Sequence, residues 1–193
     1  MPPGDVRETA LVLVFDLLYP TPDSGEDDFV ELARRSVPPA QVRPTYFPWP
    51  TDVEDLATLG TADRYDAVRR LGSEEHLRAV LPPLMGAETR PNVSMFGVTS
   101  ASFMQGRDGA ADQLRTLAEI TGVPVTSTTV AFQRALVHLG ISRVSLASIY
   151  HPIGSDHFVD RLRDAEVRAV GRVDVDAGSR LSVLSNQGDN STR

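Results

Sequence analysis

Three short runs carry hydroxyl side chains where an apolar segment gives way to a helical one. They are Gly97-Val98-Thr99-Ser100-Ala101-Ser102, Thr126-Ser127-Thr128-Thr129 and Ser148-Ile149-Tyr150-His151. In an open parallel sheet, ligands bind beyond the carboxyl ends of the strands, where helix starts present free backbone N–H groups. Hydroxyl donors added to those amides form a nest for a carboxylate or another small oxyanion. The same residue types also serve as ordinary helix caps, and Thr128 and Ser155 read equally well in that role. Taken alone, Tyr150 reads as a rim aromatic that packs its ring. His151 and His157 read as surface residues near a helix start, and His138 as a complement to a helix C-terminus.

Other chemistries lack their residues. There is no Gly-x-Gly-x-x-Gly after the first strand and no Gly-x-x-x-x-Gly-Lys-Ser/Thr, so dinucleotide and nucleoside triphosphate sites lose their main support. No Gly-x-Ser-x-Gly elbow surrounds Ser100, which leaves a Ser–His–Asp hydrolase resting on Ser100 alone. Histidines at metal-ligand spacing are absent, and Asp23-Ser24-Gly25-Glu26-Asp27-Asp28 lacks the alternation and distal glutamate of a calcium loop. That acidic run reads as a lead into a helix N-terminus. The sequence contains no cysteine, which removes disulfides, thiolate catalysis and cysteine zinc sites. The expectation is a protein with no cofactor and no metal.

Apolar periodicity supplies the frame that must position the three runs. Ala10 to Leu18 is a continuous apolar run broken only by Asp16, the pattern of a strand buried on both faces of a parallel sheet. Asp27 to Arg35 reads as a helix, and Gln41 to Trp49, with Pro44 and Pro48, as an edge strand. Thr51-Asp52-Val53-Glu54 fits a capping box ahead of Leu56 and Leu59. Ser73 opens a helix striped by Leu77, Val80, Leu81 and Leu84. Beyond Asn92 the order is strand (92–98), helix (109–120), strand (123–126), helix (128–139, stopped by Gly140), strand (143–149), helix capped by Ser155, and strand (167–175). That alternation predicts an α/β fold, parallel sheets flanked by helices. From Gly178 the chain turns small and polar, as expected of a disordered tail over 178–193.

The overall balance narrows the partners. With 19 Lys and Arg against 26 Asp and Glu in 193 residues, the net charge is −7, the wrong sign for a phosphate backbone, so no nucleic acid partner is expected. No apolar run approaches the roughly 20 residues that span a bilayer, and the first residues lack the basic and apolar regions of a signal peptide. No membrane partner and a cytoplasmic location are the expectation.

Two stretches resemble a known family. Phe96-Gly97-Val98-Thr99-Ser100-Ala101-Ser102-Phe103, with Gly106 behind it, is similar to the first-lobe active loop of maleate isomerases and arylmalonate decarboxylases, in the aspartate/glutamate racemase superfamily. Thr121-Gly122-Val123-Pro124-Val125-Thr126-Ser127, then Ala135-Leu136-Val137-His138-Leu139-Gly140 and Ser148-Ile149-Tyr150, resemble the block that follows. The resemblance covers roughly the middle third of the chain. It implies two pseudo-symmetric lobes, here 1–122 and an incomplete 123–177, with a small mono- or dicarboxylate held between them. It also implies cofactor-independent chemistry beside that carboxylate. By position, Thr99 and Ser100 hold the carboxylate and Tyr150 donates to it, with Thr126 and Ser127 on the neighbouring strand end.

The departures bear on catalysis. The family's first catalytic cysteine falls at Val98, a side chain with no proton to move, and the second belongs to a motif expected beyond Arg193. The usual Thr-Pro-Tyr is Ser148-Ile149-Tyr150. The resemblance therefore implies a truncated or diverged relative, decarboxylase- or isomerase-like with impaired or altered catalysis. The alternative is a non-catalytic carboxylate-binding or regulatory subunit pairing with a complete homologue. An incomplete second lobe leaves apolar surface open, so a homo-oligomer or a heteromer is expected.

Overall fold

Continuous apolar strands and amphipathic helices alternate along the chain, and the structure, a computed structural model, assembles them into two parallel sheets flanked by helices. It describes residues 13–22, 25–86 and 90–175. Ala10 to Val12 of the first predicted strand, Asp23 and Ser24 of the acidic run, and the predicted tail over 178–193 lie outside these residues.

The first sheet has the order β2-β1-β3-β4, built from β1 (Leu13–Tyr19), β2 (Ala40–Tyr46), β3 (Val93–Phe96) and β4 (Val125–Ser127), all parallel. The proline-bearing β2 sits at an edge, where a missing ladder donor is tolerated. Asp16, the one acid in β1, is 2% exposed. It is accommodated because Thr45 donates to its Oδ1 at 2.9 Å and Arg43, its register partner on β2, approaches at 3.3 Å. The second sheet pairs β5 (Arg143–Ser148) with β6 (Arg168–Asp174), also in parallel. The short β4, which the sequence reading placed with the second lobe, hydrogen-bonds to β3 in the first sheet.

Helices α1 (Glu26–Arg35), α2 (Thr61–Leu71), α3 (Glu74–Val80), α4 (Thr99–Phe103), α5 (Gly106–Thr121), α6 (Thr128–His138) and α7 (Pro152–Asp164) make the connections. The helix starts differ from expectation at several places, and α4 was not anticipated. The capping box at Thr51 starts no helix: Asp52 is drawn into a two-pronged pair with Arg70, and Asp55 caps a single 3₁₀ turn at Leu56–Thr58. α2 follows a glycine and has no side-chain cap, so the usual start signal is missing. At α6 the cap is Ser127, whose hydroxyl accepts from Val130 N–H at 3.3 Å, rather than Thr128. At α7 the cap is His151, and Ser155 is buried inside the first turns.

Leu18, Phe47, Phe96, Phe103, Leu71, Leu77, Leu81 and Leu117 form the main core, all at most 1% exposed. Leu136, Leu162 and Val167 form a much smaller one beneath the second sheet. No helix among the described residues is long and apolar enough to cross a membrane.

Candidate active site

The carboxyl ends of β1, β3 and β5 converge, and each ends in a residue that shapes the same region. β1 ends in Tyr19 and β3 runs into Gly97, where the close approach explains the residue type. A Cβ at Gly97 would lie 2.6 Å from the Tyr19 ring and 2.9 Å from Leu17. The missing side chain lets the β3 exit lie under Tyr19 and delivers Val98, Thr99 and Ser100 at the start of α4. The first amides of a helical turn have no intrahelical acceptor. Among the described residues the Thr99 and Ser100 hydroxyls are half-buried and uncommitted to one another, while the Thr99 carbonyl receives Thr129 Oγ1 at 3.4 Å.

Tyr150 enters from the second sheet. The Ser148 hydroxyl accepts the Tyr150 N–H at 3.1 Å and the Ser155 hydroxyl at 2.7 Å, so a serine-centred turn sets the tyrosine's direction as the chain leaves β5. Its ring meets Phe103 edge-on at 5.2 Å, a favoured aromatic geometry. Gly154 on α7 is buried. A Cβ there would sit 3.0 Å from the Tyr65 hydroxyl and 3.2 Å from Tyr150 Cβ, so the glycine lets Tyr65 of α2 reach across to the second sheet. Tyr65 also faces the His151 ring at 6.1 Å.

Three phenols, Tyr19, Tyr65 and Tyr150, thus share one neighbourhood. Burial pushes the Tyr150 phenol above the ordinary tyrosine range, and Tyr19 and Tyr65 add to the shift because ionised neighbours repel. Tyr19 is likewise raised, first by burial and then by the Glu26 carboxylate. Held protonated, Tyr19 and Tyr150 are hydrogen-bond donors, suited to an anionic guest.

The other expected ligand residues stand differently. Thr126 and Ser127 lie at the end of β4, beside β3 in the ladder, but Ser127 is 1% exposed. Its hydroxyl bonds Ser102 Oγ at 2.9 Å and caps α6. Val98 packs against the main core. Tyr19 and Tyr65 were not singled out from sequence, and Ser148 and Ser155 were read as part of a strand-end run and as a helix cap; the glycines facing the tyrosines, Gly97 and Gly154, were the available signal. Among the described residues no group of three or more His, Asp or Glu could hold a metal ion.

The arylmalonate decarboxylase family matches residues 63–182, more than half of the chain. No curated protein matches it. Among solved structures, an arylmalonate decarboxylase aligns with a TM-score of 0.53 at 21% identity, covering 93% of this chain and 72% of its own. The maleate isomerase Iso from Pseudomonas putida S16 aligns with a TM-score of 0.59 at 16% identity, over 90% of this chain and 68% of its own. A Nocardia farcinica maleate cis-trans isomerase C194S mutant, carrying a covalently bound succinylcysteine intermediate, reaches 0.58 at 18% identity, over 93% of this chain and 74% of its own. At such identities the structures speak for the fold, and the match over residues 63–182 speaks for descent: this chain belongs to the arylmalonate decarboxylase family.

Proposed function

We propose that this chain binds a small mono- or dicarboxylate in the cytoplasm, at the meeting of the two sheets, through Thr99, Ser100 and Tyr150. The observation that carries the reading is the convergence of the Gly97–Ser100 turn with Tyr150 and its two neighbouring tyrosines. Hydroxyls and free amides at the α4 turn accept one carboxylate, and the protonated Tyr150 phenol donates to the same group. Ser127 serves this site indirectly, by holding Ser102 and the start of α6.

Any chemistry would be cofactor-independent and of the decarboxylase or isomerase kind. Breaking the bond to a departing carboxylate as CO₂ leaves an electron pair on the α-carbon. That charge delocalises onto the retained carboxylate, where the same donors stabilise it. The step then needs a proton delivered to carbon by an acid of suitable pKa. This sequence has no cysteine, Val98 has no proton to give, and the Tyr19 and Tyr150 phenols are held protonated. Binding therefore outlasts efficient turnover, and catalysis is impaired or altered.

A thermal melt against maleate, malonates, aspartate and glutamate tests the binding. A ligand at about a hundred times its Kd adds about 2.7 kcal/mol, several degrees for a protein of this size. Tyr150→Phe and Ser100→Ala should each weaken affinity about tenfold or more, as expected for a hydrogen bond to a charged group. If no carboxylate raises the midpoint, the reading fails.

A second reading, a non-catalytic carboxylate-binding or regulatory subunit paired with a homologue or with a second copy, draws on one observation. Ile149, Ile153 and Val173 expose half or more of their surface around the second sheet, the kind of apolar area that partners cover. Light scattering on the purified chain should give a dimer or larger species, and a strict monomer would count against self-association.

A further inference from the structure

Tyr150 sits in a short turn between β5 and α7, with the exposed Ile149 before it. Ser148 holds that turn from the strand side. From the helix side the hold comes from Arg172 of β6, whose guanidinium reaches three groups at once. Nε donates to the Asp174 carboxylate, at 2.7 Å to Oδ2 and 2.9 Å to Oδ1. Nη1 donates to Asp156 Oδ1, and Nη2 donates to the Pro152 carbonyl at 3.1 Å.

Pro152 and Asp156 belong to the first turns of α7. Between them lies Gly154, where an added Cβ would stand 3.2 Å from Tyr150 Cβ. The backbone that Arg172 grips is therefore the backbone against which Tyr150 rests. Asp174 in turn is the register partner of Ser148, and the Val175 N–H donates to the Ser148 carbonyl at 2.7 Å. Arg172, and after it the Ser155 hydroxyl, hold the Asp174 carboxyl below the usual carboxylate range. One arm of the network thus grips the start of α7. The other meets the serine whose hydroxyl accepts the Tyr150 N–H.

Exposed ion pairs add little to stability, and this one lies on the thinly covered second sheet. Its geometry suits a different task, because a planar fork with donors in fixed directions locks the placement of the groups it joins. We propose that Arg172 is a positioning residue, which sets the direction of the Tyr150 phenol by clamping the start of α7 to the end of β6. Its bearing on ligand binding rests on Tyr150 serving as the carboxylate's donor; the clamp on Tyr150 does not.

The chain has four tyrosines, so nuclear magnetic resonance of isotope-labelled tyrosine Cζ, assigned with Tyr150→Phe, reports the phenol surroundings without a ligand. In Arg172→Leu the Tyr150 resonance should move toward its unfolded-chain position, while those of Tyr19 and Tyr46 on the first sheet stay in place. Isothermal titration with malonate and with maleate gives the second readout. Arg172→Leu should weaken binding about tenfold, the scale of one hydrogen bond to a charged group. In the Tyr150→Phe background the same change should cost about twofold or less, because residues acting through one contact are not additive. Arg172→Lys keeps the charge and loses the fork, so it should repeat both results and stands in should Arg172→Leu fail to fold. An unmoved Tyr150 resonance, an equal loss of affinity in both backgrounds, or full rescue by lysine would overturn the proposal. Failure of the parent to bind either dicarboxylate overturns instead the carboxylate reading of the site, and the Tyr150 resonance then decides the role of Arg172.

Discussion

Two strand–helix–strand units of this protein share one topology and differ in burial. β1-α1-β2 and β5-α7-β6 are each a parallel pair joined by a helix. In the first, β1 is flanked on both edges, by β2 and β3, and Asp16, Leu17 and Leu18 are all buried. In the second, β5 pairs only with β6 among the described residues, and its burial alternates, with Arg143, Ser145 and Ala147 exposed and Val144 and Leu146 half-buried. Parallel strands normally hide both faces. The second sheet hides one, and its buried cluster has three residues where the first has eleven. The first unit is therefore a rigid platform for Gly97 and Thr99, while the second must present Tyr150 from a thinner support. That support comes from polar contacts: Ser155 to Ser148, and Ser148 to the Tyr150 amide.

The largest test of this difference is a pair of core truncations. Phe96→Ala removes a fully buried ring stacked on Phe47 at 5.9 Å and should cost about 3–5 kcal/mol. Val173→Ala on the second sheet, where the side chain is 63% exposed, should stay within about 0.5 kcal/mol. Urea unfolding monitored by circular dichroism compares the two, and equal losses would show the second sheet to be as well covered as the first.

Gly97→Ala probes the junction. Its Cβ would stand 2.6 Å from the Tyr19 ring, so overpacking of about 1–3 kcal/mol is expected, together with loss of carboxylate binding in the same melt assay. Neutral behaviour on both counts would mean that Tyr19 moves aside freely. Ser155→Ala breaks the buried hydroxyl pair under Tyr150. A cost of about 1–2 kcal/mol is expected, with weaker carboxylate binding than the loss in stability alone explains, read from titration of the folded variant.

The smallest effect is on alkaline stability. Tyr19 and Tyr150 have raised pKa values in the folded state. Below the ordinary tyrosine value of 10.0 both states keep the proton and the shifts contribute nothing. Above it the unfolded chain releases protons that the folded one holds, so stability falls as pH rises through that range. Denaturation midpoints between pH 8 and 11 should drop less in Tyr150→Phe than in the parent, and a parallel drop would place the loss elsewhere.

Much of this was legible in residue order. The apolar run ending at Tyr19, the Gly140 stop and the alternation beyond Asn92 predict the strands and helices of a parallel fold, because burial on both faces leaves a continuous apolar signature. The proposed set of Thr99, Ser100 and Tyr150 comes from family resemblance, since those residues cluster in short motifs. Tyr65 was not. Its helix α2 begins at a glycine without a side-chain cap, and the capping box just before it is diverted when Arg70 claims Asp52. Likewise Thr128 and Ser155 were readable as caps until Ser127 and His151 were seen in that role.

Sequence by itself determined the α/β class, the positions of most strands, the net negative charge and the absence of any thiol. Those properties depend on composition and on contacts a few residues apart. Only the tertiary structure decided which hydroxyls remain available, that β4 joins the first sheet, and that three tyrosines meet over Gly97 and Gly154. Each of these depends on residues far apart in the chain arriving within a few ångströms of one another, and periodicity carries no record of such distances.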